Sequence, residues 1–156
     1  DSIYVGQYDF ETDIKGKYKL TYYRDTTYTT TRTLTATVKD RTITLSGMNL
    51  NLPYTFDEQT MSFVLETGSY AGKSGSDYIF TLLLDEKKEY NCNSMSGQLS
   101  HDADGNVVVP FRSVYGGIEF STIGLVKLTD NTFDITKLNG YYQTLYRPIL
   151  TRVVTK

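Results

Sequence analysis

The chain has 156 residues, with 16 Lys and Arg against 18 Asp and Glu and a formal net charge of −2. That length suits one domain with a real core, and the scattered cations offer no basic footprint for nucleic acid. No run approaches the roughly 18 apolar residues of a membrane-spanning helix. One Cys92 and one His101 supply neither a disulfide nor the usual ligands of a zinc site, so no cofactor is expected.

Residues 1–15 read as an N-terminal arm or edge strand of a single domain covering 1–156. Tyr4, Tyr8 and Phe10 share a parity, while Gly6, Asp9, Glu11 and Asp13 weaken it. Gly16 opens a strand with Tyr18, Leu20 and Tyr22 on one face and Lys17, Lys19 and Thr21 on the other. After a turn at 24–27, Leu34, Ala36 and Val38 alternate with threonines, as do Ile43 and Leu45. A turn at Asp40-Arg41 places Lys39 opposite Thr42, Val38 opposite Ile43 and Ala36 opposite Leu45, so the apolar side chains share one face.

At Gly47 the parity changes, because Met48, Leu50 and Leu52 run one residue out of phase; this predicts a bulge. Pro53, which cannot donate to a ladder, marks an edge or crossover. Met61, Phe63 and Leu65 form another one-sided strand, and the Gly- and Ser-rich stretch 68–77 reads as a mobile loop. Tyr78, Phe80, Leu82 and Leu84 alternate with Ile79 and Leu83, predicting a strand covered on both sides. Residues 85–93 read as a polar loop.

Met95, Gly97 and Leu99 begin a hairpin that turns at 102–106 and returns through Val107, Val109 and Phe111. Ile118 and Phe120 give way to Ile123 and Leu125, predicting a second parity slip near Ser121-Thr122. A turn at Asp130-Asn131 leads into 133–138. The tail reads as an aromatic strand through Tyr141, Tyr142 and Tyr146, a break at Pro148, and a last strand over 149–155. With no helical apolar spacing, the sum is about nine or ten short antiparallel strands in a meander. That predicts an all-β barrel, or alternatively a two-sheet sandwich.

Three segments carry a resemblance: Gly16-Lys17-Tyr18 opening the first clear strand, Ser-Gly-Met-x-Leu-x-Leu-Pro at 46–53, and the Asp-x-Asp-Gly-Asn hairpin at 99–109. Together with the threonine-rich hairpin they resemble the lipocalin-like (calycin-like) β-domains of small Bacteroidetes-type surface lipoproteins. The resemblance implies a lipocalin-like barrel exported to the cell surface or periplasm behind a lipid-modified cysteine. Asp1-Ser2 would sit directly after such a residue, so the membrane would be met only through that anchor.

No catalytic motif stands out. Asp102, Asp104 and Asn106 resemble the start of a calcium loop, but its twelfth position is Ser113, and Asp-Gly is a favoured hairpin pair. A Ser-His-Asp triad would need His101, which lacks a Gly-x-Ser-x-Gly context. Asp85, Glu86, Glu89 and Glu119 are the carboxylates available to a hydrolase. Fourteen tyrosines and no tryptophan are the distinctive feature, since each pairs a flat apolar face with a polar tip. Tyr22, Tyr23, Tyr115, Tyr141 and Tyr142 lie near turns and form the expected ligand-binding set. The expected function is therefore noncatalytic binding of a glycan, small ligand or partner protein through an aromatic rim. Two other classes are weighed beside it. One is an adhesin-like assembly module with an open edge at Ile149 to Thr155, and the other a hydrolase with paired carboxylates.

Overall fold

The computed structural model describes residues 9–153. With 59% of the described residues in strands against 6% in helix, the all-β, antiparallel expectation holds. Among the described residues there are fifteen strands: β1 Gly16–Tyr23, β2 Thr31–Val38, β3 Thr42–Leu45, β4 Leu50–Pro53, β5 Thr55–Asp57, β6 Ser62–Glu66, β7 Tyr70–Ser74, β8 Asp77–Asp85, β9 Asn91–Cys92, β10 Ser94–Gln98, β11 Ser100–His101, β12 Val107–Pro110, β13 Ser113–Tyr115, β14 Ile118–Leu128 and β15 Tyr141–Arg152. The count exceeds nine or ten because stretches read as loops contain β7 and β9, and because runs read as continuous are divided, as at β10–β11 and β12–β13.

Most strands belong to one strongly curled half-barrel sheet with the path β4-β3-β2-β1-β15-β14-β8-β7; β5, β6 and β10 form a second, smaller sheet. The first half is a meander, and its register is that of the alternation: Ala36 pairs with Leu45, Thr37 with Thr44 and Val38 with Ile43. The sheet then crosses from β1 directly to the last strand, Tyr18 pairing with Arg152 and Leu20 with Leu150. Its two ends curl back on each other, since a Cβ at Gly72 of β7 would stand 3.1 Å from Leu50 of β4. Gly72 also has φ +137, a conformation open mainly to glycine.

The core runs through both sheets. Tyr18, Leu20, Ala36, Val38, Ile43, Leu45 and Leu150 from the half-barrel pack with Phe63, Leu65 and Met95 from the small sheet. Strand β8 is covered on both sides as its sequence implies: Ile79 and Leu83 enter this core. Phe80, Leu82 and Leu84 face outward under Phe133 and Leu138. The slip near Ser121 is also present, as the β14–β8 register shifts between Phe120 and Thr122.

Several local expectations are corrected. At Gly47 there is a four-residue turn between β3 and β4, not a bulge; Asn49 takes the left-handed conformation at φ 57, and Leu45 pairs with Leu50. The stretch read as a mobile loop contains β7, which pairs with β8 from Tyr70–Phe80 to Ser74–Asp77. The C-terminal segment is one strand, because Arg147 (φ 50) and Pro148 form a bulge between the Thr21–Ile149 and Tyr23–Tyr146 pairs. A bulge tolerates a proline because the ladder skips its missing N–H. This strand offers no open edge at Ile149–Thr151, which is paired with β1 on one side and β12 on the other.

Of the proposed N-terminal arm or edge strand, residues 1–8 lie outside the described residues. Phe10–Ile14 is a π-helical turn capped by Asp9, whose side chain accepts from the Glu11 amide. Its carbonyls are tied down: the Tyr18 hydroxyl donates to Ile14 O at 2.5 Å, and Arg152 donates to Thr12 O and Lys15 O at 3.0 and 2.9 Å.

Candidate functional site

One end of the half-barrel is built by strands of unequal length. The inward column of β1 is Tyr18, Leu20 and Tyr22, all buried. On β2 the buried Ala36 and Val38 follow the half-buried Leu34, and counting back by two puts Arg32 at the open end of the same column. Tyr22 and Arg32 are directly paired across the strands. Strand β1 stops at Tyr23, opposite Tyr146, whereas β15 begins at Tyr141. Residues 141–145 therefore have β14 on one side and, among the described residues, no paired strand on the other.

Over this overhang lies an open cavity of about 420 Å³. Arg24, Arg32, Lys88 and Tyr141 line it together with Tyr22, Tyr142, Gln143, Thr144 and Tyr146. Tyr22 is 3% exposed; burial pushes its phenol up, with Arg32 pulling it down. Tyr141 is held on two sides. A Cβ at Gly124 would come 2.9 Å from its ring, and the Lys88 ammonium sits 4.6 Å from the ring centroid, in the range of a cation–π contact. Lys88 is presented by a tight turn, with its N–H donating to Asp85 O at 3.1 Å and φ 59. The Asp85 carboxylate accepts from the Tyr90 amide at 2.7 Å.

A second cavity, of about 510 Å³, is lined by Tyr90 to Ser94 together with Tyr115, Ile118 and Phe120. The Tyr115 hydroxyl donates to Ser94 O at 2.9 Å, and Tyr115 and Phe120 rings are 5.9 Å apart. Cys92 is buried here, and burial pushes its thiol up to about 11. The larger volume does not make this the better-equipped site, because its lining carries no charged side chain.

The five expected tyrosines thus separate into three places. Tyr22, Tyr141 and Tyr142 come together in the first cavity and Tyr115 lines the second. Tyr23, of opposite parity to Tyr22, packs edge-on against Tyr28 at 5.2 Å, and the Arg147 guanidinium lies 3.6 Å from the Tyr28 ring centroid. Sequence reasoning passed over Arg24, Arg32, Lys88 and Tyr146 in the first cavity and Tyr90 in the second. Arg32 was signalled by the Leu34-Ala36-Val38 alternation extended one step back; Lys88 and Tyr90 carried no signal, since the turn that aims them is set by its own hydrogen bonds.

Of the carboxylates considered for hydrolysis, Asp85 is engaged by Tyr90, and Glu119 pairs with Arg112 at 2.5 Å. Asp102 accepts from the Asn106 amide and the Asp104 amide, both at 2.9 Å; the Asn106 amide first, then its side chain and the Asp104 amide, hold the carboxyl below the usual range. Among the described residues no three His, Cys, Asp or Glu side chains group at metal-binding distance. No family model, curated protein or solved structure matches the chain.

Proposed function

We propose that the chain is a noncatalytic binding domain that takes a glycan or another small polar ligand at the tyrosine-lined end of the half-barrel. The observation that supports this reading is the convergence of Tyr22, Tyr141 and Tyr142, joined by Tyr146, on one open cavity. Its volume of about 420 Å³ lies within the usual range of small-ligand sites, and its phenols and amides supply oriented hydrogen-bonding groups around apolar ring faces. The setting is extracytoplasmic, at the cell surface or in the periplasm of a lipid-anchored protein; the likeness to lipocalin-like surface lipoproteins supports that part.

The test is a saccharide screen followed by saturation-transfer NMR on hits, with Tyr142→Ala and Tyr141→Ala compared with Tyr115→Ala. Loss of binding in the first two with retention in the third is expected, and the ligand should be recovered unchanged after prolonged incubation. Turnover of the ligand, or binding that ignores both Tyr141 and Tyr142, would overturn the reading.

A further inference from the structure

We propose that the ligand of this cavity is an acidic saccharide, one carrying carboxylate or sulfate groups. The inference rests on the binding reading above and adds the charge of the ligand. Arg24, Arg32 and Lys88 all line the cavity, and no Asp or Glu does, although the chain as a whole carries a net charge of −2. All three cations are exposed. Among the described residues the two ion pairs are Lys15–Glu11 and Arg112–Glu119, and neither draws on these cations.

The neighbouring acids have their principal partners outside the cavity. Asp25 is held first by the Thr27 hydroxyl and amide at 2.5 and 3.0 Å, with Arg24 a lesser influence that also lowers its carboxyl, and Asp85 accepts from the Tyr90 amide. Glu86 faces the Tyr28 hydroxyl, whose pKa is raised by burial first, lowered by Arg147 and raised again by Glu86. Three cations of one sign around a concave site focus a positive potential into it, and an entering anion relieves their mutual repulsion. Arginine adds a planar fork of donors that matches carboxylate or sulfate oxygens.

The rest of the lining selects a saccharide over other anions. It contains no aliphatic side chain, so it offers no slot for an acyl chain. Its neutral groups are tyrosine rings, Gln143 and Thr144, which suit the mixture of hydroxyls and C–H faces on a sugar ring. The backbone edge of 141–145, free of a paired strand among the described residues, adds donors and acceptors spaced along an extended line.

The test is isothermal titration of the intact chain with a heparin-derived tetrasaccharide, an oligogalacturonate, a neutral malto-oligosaccharide of equal length, sodium sulfate, and phosphatidylglycerol vesicles. One or both acidic oligosaccharides should bind, more weakly as salt rises, while the neutral one binds at least tenfold more weakly. Arg32→Met, and Arg24→Met with Lys88→Met, should each reduce affinity by roughly tenfold or more. Their circular dichroism should be unchanged, and Arg112→Met should bind as the unaltered protein does. Equal, salt-insensitive binding of the neutral oligosaccharide overturns the charge inference while leaving the binding reading standing. Binding of vesicles, or of sulfate as tightly as the oligosaccharides, overturns the saccharide assignment. Absence of binding to every probe overturns both.

Discussion

Tyr18→Phe removes a single oxygen from the middle of the fold. The side chain is 0% exposed and its hydroxyl donates to the Ile14 carbonyl at 2.5 Å, so the change leaves shape intact and orphans a buried acceptor. A net hydrogen bond contributes about 0.5–1.5 kcal/mol, and an unsatisfied buried group costs about 1–3 kcal/mol; these overlap, and the expected loss is ~2 kcal/mol. For a chain of this size that lowers Tm by roughly 4–8 °C. The same hydroxyl carries a pH signature. Burial, opposed by Arg152, pushes the Tyr18 pKa from 10.0 up to about 12. A folded-state pKa above the unfolded one means stability that is intact below pH 10 and is lost as pH climbs towards 12. The full effect of such a shift is on the order of 2–3 kcal/mol. The gap between the two proteins should therefore be widest near pH 8 and close above pH 10. Tyr54, also pushed up to about 12 by burial, is present in both proteins, and its charge adds to the rise at Tyr18, so it sharpens the closing of the gap at high pH. Urea unfolding followed by circular dichroism across this range measures the gap. A difference under about 0.5 kcal/mol at pH 8, within the usual span of neutral surface changes, or a gap constant with pH, refutes the reasoning.

Gly97→Ala would place a Cβ 2.6 Å from the Phe111 ring and 2.7 Å from Val109; overpacking of that kind costs roughly 1–3 kcal/mol, and a urea midpoint equal to that of the unaltered protein would contradict it. Cys92, buried with its thiol at about 11, should react with a disulfide reagent at pH 8 only through opening of the fold. Its labelling rate should therefore rise with denaturant, and immediate labelling of the native protein would show otherwise. Arg112→Ala breaks an exposed pair with Glu119 at 2.5 Å. Surface pairs contribute about 0–1 kcal/mol, so thermal unfolding should barely change and should be insensitive to added salt.

What the sequence disclosed is what period two encodes: which residues share a face, and the register of strands joined by short turns. The Ala36–Leu45 and Val38–Ile43 pairs, the two-faced β8 and the slip between Phe120 and Thr122 all follow from local alternation. Alternation is silent on which distant strand becomes a neighbour, so the pairing of Leu20 with Leu150 was not legible. Glycine also misled, because Gly72 belongs to a strand for a steric reason, the approach of Leu50, that exists only once the sheet has curled. Pro148 misled similarly, since its bulge is defined by the partner strand. At the candidate site the tyrosines were legible by type and their grouping was not. Arg32 sits in an inward column at its wet end, where a charge no longer signals the outside of the sheet.

The pairing of Tyr18 with Arg152 has a consequence for how the protein is made. The strand at the centre of the larger sheet follows β1 and β14 in the chain, so both wait without their shared neighbour until Tyr141–Arg152 emerges. Contacts between opposite ends of a chain are slow to form. Until then β1 and β14 each present an unpaired edge to other chains. Under the export proposed above this delay is useful, because a polypeptide whose larger sheet lacks its central strand stays threadable until that strand is made.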